Sequence, residues 1–366
     1  MTNDLAYQIA LTLVPNIGAV HARTLVEHFA NAADIFKAKR SALERIEGIG
    51  TIRAKSIKNF TDFQRAEEEI FFLEKYRIEP LFLTNKKYPQ RFLNCYDPPT
   101  ILYYRGKADL NSSRLVALVG TRTNTEYGKH VTEELIKGLA TLDVIIVSGL
   151  AFGIDAIAHK AALKYNLPTI GVVGHGMDTI YPLQHKGLAK EMMNEGGIIT
   201  EFMSRTKPDK HNFPLRNRVV AGISDATIVV ETSIKGGSMI TAEMANSYNR
   251  DVFAIPGKTT DHSSSGCNHL IKTNKAILLT DATQFIEVMG WADKSKKSLP
   301  QQRELFIQLT DAEKIIVDIL KQKQVVPIDE LNIQSNLSSS GVAAAVLNLE
   351  INGLITSLPG KMYKLV

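Results

Sequence analysis

Between residues 114 and 290 the sequence alternates short, continuously apolar runs with longer helical stretches, and this alternation restricts the fold more than any other feature. The runs are Leu115–Val119, Val144–Val147, Thr169–Val173, Gly197–Thr200, Ala226–Val230 and Asp251–Ile255. A half-exposed strand alternates apolar and polar residues, whereas a run without polar breaks suits a strand buried on both faces. Helices between such strands form right-handed crossovers that cover a parallel sheet from both sides. The expected core is a Rossmann-like, doubly wound α/β sheet.

The flanking segments read differently. Residues 1 to about 75 form short helices, with two similar pieces: Asn16-Ile17-Gly18 followed by Ala22, and Gly48-Ile49-Gly50 followed by Ala54. Two readings fit. One is a pair of helix-hairpin-helix motifs whose turns point backbone N–H groups at a phosphate. The other is a small helical bundle in which the same residues only make tight turns. Residues 76–113 read as a connector with a Pro98-Pro99 break and short apolar pieces such as Ile101–Tyr104. Residues 292–304, ADKSKKSLPQQRE, are a polar, charged linker. Beyond it, Thr310 caps a helix to about Gln322, Pro327 opens a second, and Ser338–Asn352 is a third. Leu354–Val366 then holds a Pro359-Gly360 turn between two short strands, completing a winged-helix pattern. The third helix carries no Lys or Arg, which points to a structural or partner-binding role rather than to DNA reading. The expected domains are 1–75, 76–291 with its core at 114–290, the linker, and 305–366.

Composition closes off several classes. Cys95 and Cys267 are the only cysteines, far apart and without CxxC spacing, so neither a disulfide framework nor a zinc site is expected. No run of about 18 apolar residues occurs, and no basic region precedes an apolar stretch at the N-terminus. A cytoplasmic, non-membrane protein without cofactor or metal follows as the expectation. The net charge of +5 tilts towards anionic partners.

In a doubly wound sheet, ligands sit beyond the carboxyl ends of the strands. Gly120-Thr121-Arg122, Ser148–Asp155 (SGLAFGID), Gly174–Asp178 leading to Tyr181-Pro182, and Gly236-Gly237-Ser238 all fall there. Glycines let backbone N–H groups approach a phosphate, and helix N-termini behind them favour negative charge. No GxxxxGK[ST] loop is present, and no GxGxxG follows the first strand, which disfavours a P-loop NTPase or an ordinary NAD enzyme. HExxH and GxSxG are absent too, so catalysis has no obvious carrier. Met203–Arg218 (MSRTKPDKHNFPLRNR) holds five Lys or Arg residues against one acid, with Phe213 among them next to Pro214. Read as a cationic loop with an exposed ring, it suits single-stranded nucleic acid: cations follow the backbone and a base stacks on the aromatic. Read plainly, Phe213 is a loop anchor and the charges are a solvated surface. His159 and His175 read as structural.

Together, Gly120-Thr121-Arg122, SGLAFGID, Gly174–Pro182, FPLRNR (213–218), Gly236–Glu243 and Phe253–Gly257 resemble the DNA-processing protein A (DprA/Smf) family. The resemblance covers nearly the whole chain. It implies an N-terminal domain like a SAM or helix-hairpin-helix fold, an extended Rossmann domain and a C-terminal winged helix. It further implies a homodimeric, non-enzymatic protein that binds single-stranded DNA without sequence preference and mediates recombination in natural transformation. Such a protein protects incoming strands, helps load the RecA recombinase and displaces single-strand-binding protein. Carried over, Arg122 and Lys210 would hold phosphates, and the backbone around Ser148, Gly149 and Gly174 would face the strand. Phe213 would contact a base, with Asn217 and Arg218 supporting the pocket. Lys186 falls on a basic family position, and Thr121, Arg216 and Gly237 complete the expected DNA-binding set. Thr121 stands where Ser is usual, and His185 where Asn is expected.

Two rival readings remain. Gly236-Gly237-Ser238 with Glu243 is similar to a signature of lysine-decarboxylase-like phosphoribohydrolases, although Met239-Ile240-Thr241 departs from it. That alternative is a nucleotide-processing Rossmann enzyme. The other is a structural adaptor that works through its winged helix.

Overall fold

The computed structural model describes residues 2–29, 31–292, 309–323, 325–358 and 361–365, which fall into two compact units, 1–292 and 293–366. The expected linker at 292–304 and the Pro359-Gly360 turn lie outside the described residues, Ala292 excepted. The first unit opens with helices α1 (Thr2–Leu13), α2 (Ala19–His28), α3 (Ala32–Lys37), α4 (Arg40–Glu44), α5 (Gly50–Lys58) and α6 (Phe63–Tyr76). Asn16 (φ 67°) and Gly48 (φ 81°) both adopt the left-handed conformation ahead of the repeated helices α2 and α5. Asn is among the few residues with a Cβ that tolerate this region, so the two turns match despite the substitution. Ala22 and Ala54 are buried at equivalent places. Arg53 ties the turns together, donating to the carbonyls of Asn16 (3.2 Å) and Gly48 (3.0 Å).

The next elements are β1 (Glu79–Phe82), α7 (Gln90–Leu93), β2 (Ile101–Gly106), β3 (Leu115–Gly120), α8 (Glu126–Leu139), β4 (Ile145–Ser148), α9 (Ile154–Lys164) and β5 (Thr169–Val172). After them come α10 (Lys186–Glu195), β6 (Gly197–Thr200), α11 (Asn212–Ile223), β7 (Ala226–Glu231), α12 (Gly237–Ser247), β8 (Asp251–Ala254), α13 (Ser265–Lys272), β9 (Ile277–Leu278) and α14 (Ala282–Val288). The sheet has nine strands in the order β1-β2-β6-β5-β4-β3-β7-β8-β9. Every pair from β6 to β9 is parallel, and β1–β2 and β2–β6 are antiparallel.

All six apolar runs read from the sequence are strands of this sheet. The connector reading of 76–113 is corrected: its apolar pieces at Glu79–Phe82 and Ile101–Gly106 are β1 and β2. They extend the sheet because Ile101 to Tyr104 are all buried, and burial obliges their backbone groups to pair. Two-sided burial shows in β3 itself. Leu115, Ala117 and Val119 enter one core with Val219 and Val220 of α11 and Met239 of α12. Val116 and Leu118 enter the other, with Leu135 and Ile136 of α8 and Ala158 and Ala161 of α9.

The chain runs outward from β3 through β4 and β5 to β6, then returns to place β7 on the other side of β3. The strand order therefore reverses between β3 and β7. Loops leaving those two strands diverge, which opens a crevice at their carboxyl ends.

The second unit contains α15 (Asp311–Gln322), β10 (Val326–Pro327), α16 (Ile328–Ser335), α17 (Ser339–Ile351), β11 (Ile355–Leu358) and β12 (Met362–Leu365). Its strands pair in the order β10-β12-β11. Thr310 caps α15 in a reciprocal capping box with Glu313. Ile316, Leu320, Leu331, Val342 and Leu349 form a core of its own. Among the described residues, no helix is long and apolar enough to cross a membrane.

Candidate functional site

The crevice between β3 and β7 is an open groove of about 530 Å³. One wall is Gly120-Thr121-Arg122 after β3, and the opposite wall is Thr232, Ser233 and Gly236-Gly237-Ser238 leading into α12. The first two turns of α11 close the end with Phe213, Pro214, Arg216 and Asn217, and Lys210 stands just before them. A β-bulge between Val119 and Gly120 turns the strand end towards the groove. The Thr121 amide donates to the carbonyl of Glu231 (2.7 Å), and its own carbonyl accepts from Ile154 at the start of α9 (3.2 Å). Asn217 donates to the carbonyl of Gly237 (3.3 Å), linking α11 to the start of α12.

The reading of Phe213-Pro214 as a break that keeps the ring on a loop is corrected: both lie in the first turn of α11, which runs from Asn212 to Ile223. Pro is tolerated there because amides of a first turn have no intrahelical acceptor. The helix aims Phe213 at Arg122, whose guanidinium carbon lies 5.1 Å from the ring centroid.

Arg216 is buried on the floor, with Nη1 3.9 Å from Asp155 Oδ2 at the start of α9 and its Nε without a partner. Burial is the largest influence on both groups. It disfavours charge, raising the Asp155 carboxyl and lowering the Arg216 guanidinium from their usual ranges; the pair's attraction opposes this, and Arg122 adds repulsion on Arg216. A Cβ at Gly149 would overlap the guanidinium, so any larger residue there must displace Arg216. Ser148 is wholly buried, and its hydroxyl donates to the carbonyl of Leu118 (2.6 Å).

A narrow cleft adjoins the groove on the β5 side, lined by Arg122, Gly149, Phe152, Gly174, His175, Tyr181, Phe213 and Arg216. Thus Thr121, Arg122, Gly149, Gly174, Lys210, Phe213, Arg216, Asn217 and Gly237 surround one continuous depression. Three expected residues stand apart: the wholly buried Ser148 lines neither space, and Lys186 and Arg218 do not either. Lys186 is exposed at the first position of α10 and lines neither space. Arg218 faces away, ion-paired with Glu201 and, at 3.2 Å, with Asp97. Burial disfavours its charge, but Glu201 and Asp97 more than offset that and raise its pKa. Glu243 is exposed on α12, 3.8 Å from Lys275, and lines neither space.

Residue reasoning missed the support of the cationic segment. Glu69 of α6 is buried and accepts from the Ser204 amide (2.9 Å) and hydroxyl (2.5 Å). Arg65 bridges Glu69 (2.8 Å) and the Ser204 carbonyl (2.7 Å). From the other side, Asp178 accepts from the Arg205 amide (2.9 Å), and the Gly176 amide donates to Thr206 (3.0 Å). Glu69 is the last of three consecutive acids, Glu67-Glu68-Glu69, a run that reads as a solvated helix face. The exposed Tyr181 carried a clearer signal, an aromatic directly at the carboxyl edge.

Known families match in the same order as these elements. A helix-hairpin-helix motif model matches residues 9–70, DNA recombination-mediator protein A matches residues 79–290, and the DprA winged helix domain matches residues 300–361. The chain is 33% identical over 401 residues to Protein Smf of Synechocystis sp., covering 99% of each. It is 37% identical over 224 residues to DNA processing protein DprA of Bacillus subtilis, covering 60% of this chain and 75% of that one. The X-ray structure of DNA processing protein A from Streptococcus pneumoniae superposes with a TM-score of 0.67 at 31% identity, over 77% of this chain and 97% of that chain. DNA processing protein A from Helicobacter pylori, solved for its single-stranded DNA binding mode, gives a TM-score of 0.54 at 32% identity, over 59% and 96%. With a full-length relative, a matching core model and a matching fold, the chain belongs to the DNA recombination-mediator protein A (DprA/Smf) family.

Proposed function

We propose that this protein is a non-enzymatic, cytoplasmic binder of single-stranded DNA that acts as a recombination mediator in natural transformation. One observation carries the reading: a groove at the sheet's switch point offers backbone amides, hydroxyls, the cations Arg122 and Lys210 and the aromatic ring of Phe213. These groups suit phosphates and a base face and leave base identity unread, so binding is independent of sequence. Arg122 and Lys210 hold phosphates, and the backbone at Thr121, Gly149, Gly174 and Gly237 faces the strand. Phe213 meets a base, and Arg216 and Asn217 shape the floor beneath it. The Helicobacter pylori relative's single-stranded DNA binding mode supports this assignment.

In the same reading the protein protects incoming strands, displaces single-strand-binding protein, helps load RecA and works as a homodimer; membership of the family supports these parts. The helical region 1–75, the Rossmann domain 76–291 and the winged helix 305–366 divide the labour, with the strand held on the second. The base-releasing alternative needs a free carboxylate in the groove. Glu243 stands outside it, and Asp155 is committed to Arg216.

The test is fluorescence anisotropy of labelled oligo-dT against duplex of the same length across a salt series. The single strand is expected to bind tighter. Arg122→Ala and Lys210→Ala should each weaken binding and flatten the salt slope by about 0.7, one phosphate contact on a single strand. Unchanged affinity in both variants would sink the site assignment.

A further inference from the structure

In this structure Phe213 is not an open platform. The Arg122 guanidinium sits over its ring, the Tyr181 ring lies 6.1 Å away at 36°, and the side chain is half-buried. Two other aromatic rings on the same rim are far more open: Tyr181 is 46% exposed and Phe152 is 43% exposed. Two exposed rings lining one cleft beside a cationic groove raise the question of what covers them.

A buried histidine stands behind each of these residues. His175 Nδ1–H donates to the carbonyl of Gly176 (2.9 Å), and its Nε2 accepts from the Tyr181 amide (3.2 Å). His185 Nδ1–H donates to the carbonyl of Leu150 (2.9 Å), and its ring meets Phe152 edge-on with centroids 5.0 Å apart. The Phe152 ring and the Tyr181 backbone are therefore held in place before any ligand arrives, which lowers the ordering cost of stacking. The cleft between them encloses only about 20 Å³, room for a water but not for a base. A planar ligand must lie on the outer faces of the rings. Arg122 lines the same cleft, so an anionic flank on that ligand is matched. A nucleobase on a phosphodiester chain has both properties when unpaired; in a duplex its faces are already stacked.

We propose that Tyr181, with Phe152 beside it, is a second base-stacking platform, reading the faces of one or more unpaired bases while their phosphates follow Arg122 and Lys210. The proposal rests on the single-stranded DNA reading above and adds residues which that reading does not use.

The experiment compares the full chain and its Tyr181→Ala, Tyr181→Phe and Phe152→Ala variants on oligo-dT and on an equally long strand carrying abasic sites throughout its centre. Tyr181→Ala should weaken oligo-dT binding about fivefold or more, with the salt slope unchanged, and should leave the abasic strand's affinity unaltered. Tyr181→Phe should restore oligo-dT binding. A loss of equal size on both strands, or none on oligo-dT, overturns the proposal. A second measurement needs no variant: 2-aminopurine placed in the strand should be quenched at saturation, and unchanged emission throughout the strand overturns the stacking. If the unaltered protein binds neither strand, the failure lies with the parent reading, and this platform falls with it.

Discussion

His159 shows how much of the site's support is uncharged. It is wholly buried on α9; its Nδ1 donates to the Thr169 hydroxyl oxygen (2.6 Å), and that hydroxyl donates to Ile146 (3.0 Å). Burial first, then His185 and Arg216, lower its pKa to about 3. The folded value lies below the unfolded one, so the unfolded chain binds the extra proton between them. Stability is therefore full above about pH 6.5 and falls as pH drops towards 3, by a few kcal/mol in all. Urea denaturation across that range should show the loss, and His159→Gln should flatten it. Arg216 and Arg218 teach a related lesson. They sit two residues apart in one basic run, yet neither is a solvated charge: one is spent on Asp155, the other on Glu201 and Asp97. The run's cationic composition was legible in the sequence. Which of its charges remain free was not, because the partners lie on other elements and only the fold brings them close.

At the level of elements, the continuous apolar runs announced six strands because burial on both faces leaves no room for polar residues. β1 and β2 were harder to see. They pair antiparallel at the sheet's end, and Glu79 and Arg105 break their apolar pattern. The Glu69–Ser204 contact was invisible for another reason: its partners are separated by 135 positions, and an acid in an amphipathic helix reads as solvated. That contact makes α6 a brace for the segment that leads to Lys210 and Phe213. Glu69→Gln leaves Arg65 without its buried counter-charge and should cost about 3 kcal/mol or more, measured by urea denaturation. Limited proteolysis should then cut first between Arg205 and His211. Cleavage elsewhere, with that segment still protected, would show that the brace does not hold it.

For the molecule as a whole, two units with separate cores predict two separable unfolding transitions in calorimetry. A chain ending at Ala292 should keep the nine-stranded sheet and its groove, and should retain most of the affinity for oligo-dT; loss of binding would assign the strand to the winged helix instead. The placement of the groove between β3 and β7 has a consequence for how the protein is made. Thr121 and Thr232, facing walls of one site, are 111 positions apart, and β7 can pair with β3 only after β4, β5 and β6 have been synthesised. A ribosome-bound chain that has emerged as far as α8 carries Arg122 but no opposite wall. At that stage the site has one wall only. The groove as a two-walled site thus exists only once the start of α12 has left the tunnel and the last wall has folded into place.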